Sequence, residues 1–168
     1  LLATTNQGKI DEFRLLLNSA VDNLITLKEI GLNLTVIETG TSFEENALIK
    51  AKKYSRATNR LCLADDSGIE IDALGGMPGI HSARYGGSEM TDKDRLTLVL
   101  KKMRGVPWPD RKARCRTSVA LAWPNGKYIV RDGVLEGFIN FQPKGANGFG
   151  YDPILFIPSF KLTVGELS

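Results

Sequence analysis

The sequence predicts an α/β protein with a mixed β-sheet flanked by helices, and three observations predict it. Amphipathic helical spacing marks the first half of the chain, and long alternating strands mark the second. A short apolar run also opens the chain directly ahead of a helix. At 168 residues the chain suits a single domain spanning 1–168.

Taken in order, residues 1–5 read as a short buried strand. Ile10, Phe13, Leu16 and Leu17 fall at helical spacing over 8–19, with Thr5 or Asn6 as the cap. A further strand is expected at 24–27. The clearest helix covers 42–59. Ser42 with Glu45 makes a capping box, Phe43, Ala47, Ala51 and Tyr54 line one face, and Lys50 and Lys53 point elsewhere. Residues 61–64 form an apolar strand running into Asp65-Asp66-Ser67-Gly68, after which Ile69, Ile71 and Ala73 keep the chain extended. A Gly/Pro loop occupies 75–79. Thr91 or Asp92 caps a third helix over 91–103, with Leu96, Val99, Leu100 and Met103 facing inward. Residues 115–123 alternate as a strand, Pro124-Asn125-Gly126 turns the chain, and 127–130 returns antiparallel. Further strands are expected at 134–141 and 154–157, separated by a Gly-rich loop at 143–150.

Composition narrows the class. The chain is 42% hydrophobic and 24% charged, with a net charge of +3. That balance fits a globular domain and not a nucleic-acid-coating tail. No stretch approaches the roughly 18 consecutive apolar residues of a membrane span, and no secretion segment opens the chain. Cys62 and Cys115 are the two cysteines and form no CxxC pair. They read as reduced core residues of a cytoplasmic protein. With one histidine besides, a zinc site is not expected. The chain begins at Leu1 and stops at Ser168 as though cut, so a C-terminal segment is expected to be missing.

Four polar clusters stand at element ends. Thr4, Asn6 and Lys9 lie at a helix N-terminus, where free N–H groups and the helix dipole favour an anion; an ordinary cap with a solvated lysine is the plain alternative. Asp65 and Asp66 follow a buried strand, where two adjacent carboxylates are costly unless neutralised. A Mg²⁺ ion would neutralise them, with Glu38 as a further ligand; a simple Asp/Ser/Gly turn is the alternative. Adjacent side chains on an extended chain point to opposite sides, so only one of the pair would face the metal. Lys50 gains meaning only if its helix leans over the same pocket. Phe149, Tyr151 and Asp152 end the Gly-rich loop, where aromatic faces could stack on a base and a carboxylate could accept from base or sugar. Aromatics plugging the core are the alternative. Arg84 suits phosphate oxygens or a loop-closing ion pair. His81 reads as structural, and the run Arg111, Lys112, Arg114, Arg116 as surface.

Five motifs occur in order: Thr4-x-Asn6-x-x-Lys9; Glu38-Thr39-Gly40-x-Ser42-Phe43-x-Glu45-Asn46-Ala47-x-x-Lys50-Ala51; Ala64-Asp65-Asp66-Ser67-Gly68; Gly75-Gly76-x-Pro78-Gly79-x-x-Ser82-Ala83-Arg84-Tyr85; and Gly148-Phe149-Gly150-Tyr151-Asp152-Pro153. Together they resemble the inosine triphosphate pyrophosphatase family, the Ham1-like non-canonical purine NTP pyrophosphatases. The resemblance implies an elongated α/β fold with a long mixed sheet and an active cleft between two lobes. It implies Mg²⁺-dependent hydrolysis of ITP, dITP and XTP to the monophosphate and pyrophosphate by a cytoplasmic homodimer, with neither nucleic acid nor membrane as partner. By the same resemblance Asn6 and Lys9 contact phosphate, and Lys50 is the second phosphate lysine. Glu38 and Asp66 hold the metal, Asp66 activates water, and Asp65 supports it. Phe149, Tyr151 and Asp152 bind the base, with Phe149 stacking. Thr4, Ser67 and Arg84 join the substrate contacts.

One departure stands out. Family members continue to another lysine and a Ser-His-Arg motif that reads the six-position oxygen of the purine, and this sequence ends before them. Two other classes compete: a phosphomonoesterase with an aspartyl nucleophile, and a nucleotide-binding module without turnover. The first lacks the DxDGT-type order and would release free phosphate instead of pyrophosphate. The second would bind ITP without turning it over.

Overall fold

A computed structural model describes residues 1–167 of the protein. The main elements are α1 (Gln7–Leu17), α2 (Phe43–Thr58), β1 (Cys62–Ile71), α3 (Asp92–Lys102), β2 (Lys112–Ala122), β3 (Tyr128–Ile139), β4 (Leu155–Ile157) and β5 (Leu162–Thr163). The strands hydrogen-bond in the order β1-β2-β3-β4-β5. β3, β4 and β5 are antiparallel neighbours, with Phe138 opposite Phe156 and Phe156 opposite Thr163. Parallel pairing enters at the start of the chain, where Leu2 bridges both Thr26 and Leu63. The α/β class and the mixed pairing therefore match the expectation.

The chain forms two compact units. The first comprises Leu1–Asp66 and Thr117–Gly133, and the second comprises Ser67–Arg116 and the chain from Val134 on. The core of the first unit is built from small side chains: Ala47 and Ala51 of α2 pack with Ala64 of β1 and Ala120 and Ala122 of β2. Small residues on both surfaces let helix and strand approach closely. Tyr54 closes this core and donates its hydroxyl proton to the Leu34 carbonyl at 2.8 Å. The second unit has a branched core of Ile69, Ile71, Leu96, Val99, Met103, Ile139, Ile154, Leu155 and Ile157.

Local signals place the helices well. Asn6 caps α1, its side chain accepting from the Lys9 N–H at 3.2 Å, and Ser42 caps α2, accepting from the Glu45 N–H at 3.1 Å. Each such cap contributes about 1 kcal/mol. Asn59 ends α2 in the left-handed conformation, with φ of 51°. α3 carries a complete capping box between Thr91 and Asp94.

Several expectations are corrected. The 1–5 and 24–27 strands reduce to single bridges at Leu2 and Thr26. Glu45 bonds chiefly one residue beyond the Ser42 cap: its Oε2 accepts from the Thr41 N–H and hydroxyl at 2.6 and 2.9 Å, and the Ser42 N–H is a weaker partner of the same carboxylate. On α1 only Ile10 is buried, whereas Leu16 is 73% exposed. Asp65-Asp66-Ser67-Gly68 is not a turn: it lies within β1, which ends in a 3-10 turn at Asp72–Leu74 before Ala73 can continue the extended run. The segments 127–130 and 134–141 are one strand, β3. The basic run is not uniformly surface. Arg111 is 2% exposed and donates to the carbonyls of Ile139, Met103, Val106 and Asn140. Arg114 joins Glu70, Asp72 and Glu136 in a charge cluster. The separation of Arg111 from its neighbours follows from its place just ahead of β2, off the alternating strand.

Candidate active site

The first unit gathers charge around the middle of β1. The Ala3 N–H donates to the Leu63 carbonyl at 2.7 Å, and the Leu63 N–H donates to the Leu1 carbonyl at 2.8 Å. The opening segment and β1 thus run side by side in the same direction. The opening segment ends there, so Thr4, Asn6 and the start of α1 come level with Asp65, while β1 runs on. A helix N-terminus that follows a strand is a ready place for an anion. Thr4 takes part in the local turn, its Oγ1 accepting from the Asn6 N–H at 3.2 Å.

From the first turn of α1, Lys9 reaches back to Asp65, with Nζ 2.6 Å from Oδ2. The Asp65 side chain is 4% exposed, and its other oxygen, Oδ1, is buried without a hydrogen-bond partner among the described residues. Asp66 points the other way and meets α2. Its Oδ2 accepts from Asn46 Nδ2 at 3.1 Å, and its Oδ1 lies 3.8 Å from Lys50 Nζ. The same ammonium is 2.7 Å from Glu38 Oε1. Two carboxylates therefore converge on one cation. Burial pushes the Asp66 carboxyl above its ordinary value and Glu38 adds to the push, while Lys50, Asn46 and Lys9 oppose it. Glu12 is also raised, by burial and then by the charge of Asp65, against Lys9.

Asn46 was not singled out from the sequence. It is fully buried, and besides holding Asp66 it accepts from the Gly40 N–H at 2.9 Å through Oδ1, tying the segment after Glu38 to α2. Its signal was present: Asn46 and Lys50 are spaced i, i+4, so they share a helix face. A polar residue on the face next to Phe43, Ala47 and Ala51 needs a buried partner.

In the second unit, Phe149, Tyr151 and Asp152 form a tight turn. Asp152 Oδ2 accepts from the Phe149 N–H at 2.8 Å, so this carboxylate closes its own loop. Gly148 has φ of +73°, and a side chain there would run into the Asp152 carboxylate. Tyr151 donates its hydroxyl proton to the Ser82 carbonyl at 2.8 Å, and burial pushes its phenol up to about 12. Ser82 in turn donates to the Gly79 carbonyl and accepts from the Ile69 N–H, at 2.7 and 2.9 Å. Arg84 is exposed at the end of the same 3-10 segment, Gly79–Arg84, and Ser67 is half-buried on β1. His81 is exposed there too.

The fold and the site define an α/β protein that carries adjacent buried carboxylates, each held by a lysine from a different helix. The Ham1 family model matches residues 1–168. The chain is 42% identical over 168 residues to a dITP/XTP pyrophosphatase of Bacillus licheniformis, covering 100% of this chain and 86% of the relative. It is 45% identical over 170 residues to a dITP/XTP pyrophosphatase of Dictyoglomus thermophilum, covering 99% and 82% respectively. Among solved structures, a HAM1 protein from Coxiella burnetii superposes with a TM-score of 0.88 at 39% identity, over 99% of this chain and 85% of that one. The Staphylococcus aureus Ham1 protein gives 0.86 at 37% identity, over 99% and 85%. The chain belongs to the Ham1 family.

Proposed function

We propose that this protein hydrolyses non-canonical purine nucleoside triphosphates, ITP, dITP and XTP, to the nucleoside monophosphate and pyrophosphate. One observation supports the reading most: two consecutive buried carboxylates on β1 are each held by a lysine, Lys9 on α1 and Lys50 on α2. Relatives at 42 to 45% identity are named dITP/XTP pyrophosphatases.

The donor set suits a divalent cation. Glu38 and Asp66 already converge on a single positive charge, and Asp65 Oδ1 is a buried acceptor with no hydrogen-bond partner among the described residues. No group of three or more His, Cys, Asp or Glu is close enough to hold a metal among the described residues. Mg²⁺ does not require such a group, since it commonly uses one or two carboxylates and completes its shell with water and substrate phosphates. Glu38 and Asp66 would hold it. A bound Mg²⁺ would screen phosphate charge and acidify water.

The protein's own groups do the rest. Cleavage between the α- and β-phosphates demands positioning and charge neutralisation more than covalent chemistry. Lys9, Asn6 and Thr4 at the N-terminus of α1, and Lys50 on α2, hold phosphate oxygens, with Ser67 and Arg84 as further contacts. Asp66 takes the proton of the attacking water. Asp65 orients Lys9. Phe149 stacks on the base, with Tyr151 and Asp152 shaping the loop around it. We place the enzyme in the cytoplasm as a homodimer. The buried Cys62 thiol suits a reducing compartment.

Incubation of the protein and Mg²⁺ with ITP, XTP, GTP and ATP, with pyrophosphate and free phosphate measured separately, tests the proposal. Pyrophosphate from ITP and XTP in clear excess over ATP is expected. Free phosphate as the sole product, or equal turnover of ATP, would overturn it.

A further inference from the structure

Asp92 connects α3 to the aromatic loop. It is the first residue of α3, directly after the Thr91 cap, and its two carboxylate oxygens serve different partners. Oδ1 accepts from Arg95 Nη1 at 3.1 Å, and Oδ2 accepts from the Gly150 N–H at 3.2 Å. Gly150 lies between Phe149 and Tyr151 and has φ of +58°, so its amide is turned out of the loop's own hydrogen bonding. Arg95 is 8% exposed, its only ion pair among the described residues is with Asp92, and its Nε is buried without a partner. The close ion pair with Asp92 fixes the carboxylate that receives Gly150. The capping box between Thr91 and Asp94 makes this end of α3 a rigid base. With the Tyr151 bond to Ser82, the loop is fastened at two successive residues.

We propose that Asp92, oriented by Arg95, is a positioning residue for nucleotide binding: it holds the Gly150 amide and thereby sets the pose of Phe149 and Tyr151. The inference rests on the role of that loop in the proposed function. Asp92 touches no reacting group, so its loss acts on KM rather than on the chemical step. A charge-assisted hydrogen bond loses strength but not geometry when the acceptor becomes neutral. Asp92→Asn therefore retains part of what Asp92→Ala loses.

The test compares wild type, Asp92→Ala and Asp92→Asn by amide hydrogen exchange and by ITP kinetics. Asp92→Ala is expected to speed exchange at 149–152 about tenfold while exchange in β1 stays unchanged, and to raise KM for ITP about fivefold with kcat within about twofold, the range a single lost hydrogen bond allows. Asp92→Asn should fall between. Unchanged exchange at 149–152 in Asp92→Ala overturns the positioning role. Faster exchange with an unchanged KM overturns its link to nucleotide binding. A wild-type protein that leaves ITP intact would instead sink the proposed function, and the exchange experiment would still decide whether Asp92 holds the loop.

Discussion

Asp65 and Asp66 are consecutive on β1, yet they answer to different helices: Asp65 is bound by Lys9 at 2.6 Å, and Asp66 faces Lys50 and Asn46. The alternation of an extended strand makes this division, since successive side chains leave opposite faces. It separates two charges that would otherwise repel, and it gives each a cation. It also leaves Asp66 and Glu38 facing the same Lys50 ammonium.

Replacing Asp66 by Asn should abolish turnover while preserving the fold. The amide keeps the size and can still accept from Asn46, but it neither takes a proton nor binds a cation well. A fall in kcat of at least about 10³ is expected, in line with losing a general base. Circular dichroism and pyrophosphate release measure the two halves, and a variant with a near wild-type rate would remove Asp66 from the chemistry.

Lys9→Met should destabilise the protein by roughly 3 kcal/mol, because Asp65 would remain buried without its counterion. Adding Asp65→Asn should restore part of that loss. Urea unfolding of the two single variants and the double variant measures the coupling. Additive effects would mean that the pair does not act as a unit.

Phe149→Ala should act on binding. Stacking of a base on an aromatic ring is worth about 1–3 kcal/mol, so KM for ITP should rise at least about fivefold with a smaller change in kcat. Unchanged kinetic constants would remove the ring from the base site.

Gly68→Ala should unfold the protein more readily. A methyl group there would press on the Gly79 carbonyl and the Ser82 hydroxyl, which holds the Ile69 N–H. Overpacking of this kind costs about 1–3 kcal/mol, visible as a lower Tm. An unchanged Tm would show that the Gly79–Arg84 segment yields easily.

Cys62 is fully buried, and burial pushes its thiol up from 9.0 to about 11. The folded form thus keeps a proton that the unfolded chain releases earlier. Stability should fall as pH rises from about 9 toward 11, and Cys62→Ala should flatten that slope. Urea midpoints across this range check the sign. Thiol reagents at pH 8 should modify Cys62 only after unfolding.

Much of the local geometry of the candidate site was legible in the sequence because its signals are local. Asn6 and Ser42 are caps, and a cap announces a helix start within four residues. The opposite facing of Asp65 and Asp66 follows from strand periodicity alone. What local pattern could not supply was partnership across the chain. Leu16 obeys helical spacing but is solvent-exposed, because burial depends on what packs against the helix. Arg111 looks like its basic neighbours, yet only the folded chain brings four carbonyls around it.

Residue identity and spacing alone determined the helices, the alternating strands and the set of charged and aromatic residues offered to a candidate site. Tertiary structure alone decided which lysine holds which carboxylate, that Asn46 stands behind Asp66, and that Asp92 fastens Gly150 from 58 residues away. The physical reason is that periodicity and capping act over a few residues. Ion pairs and buried hydrogen bonds act over a few ångströms, whatever length of chain lies between the partners.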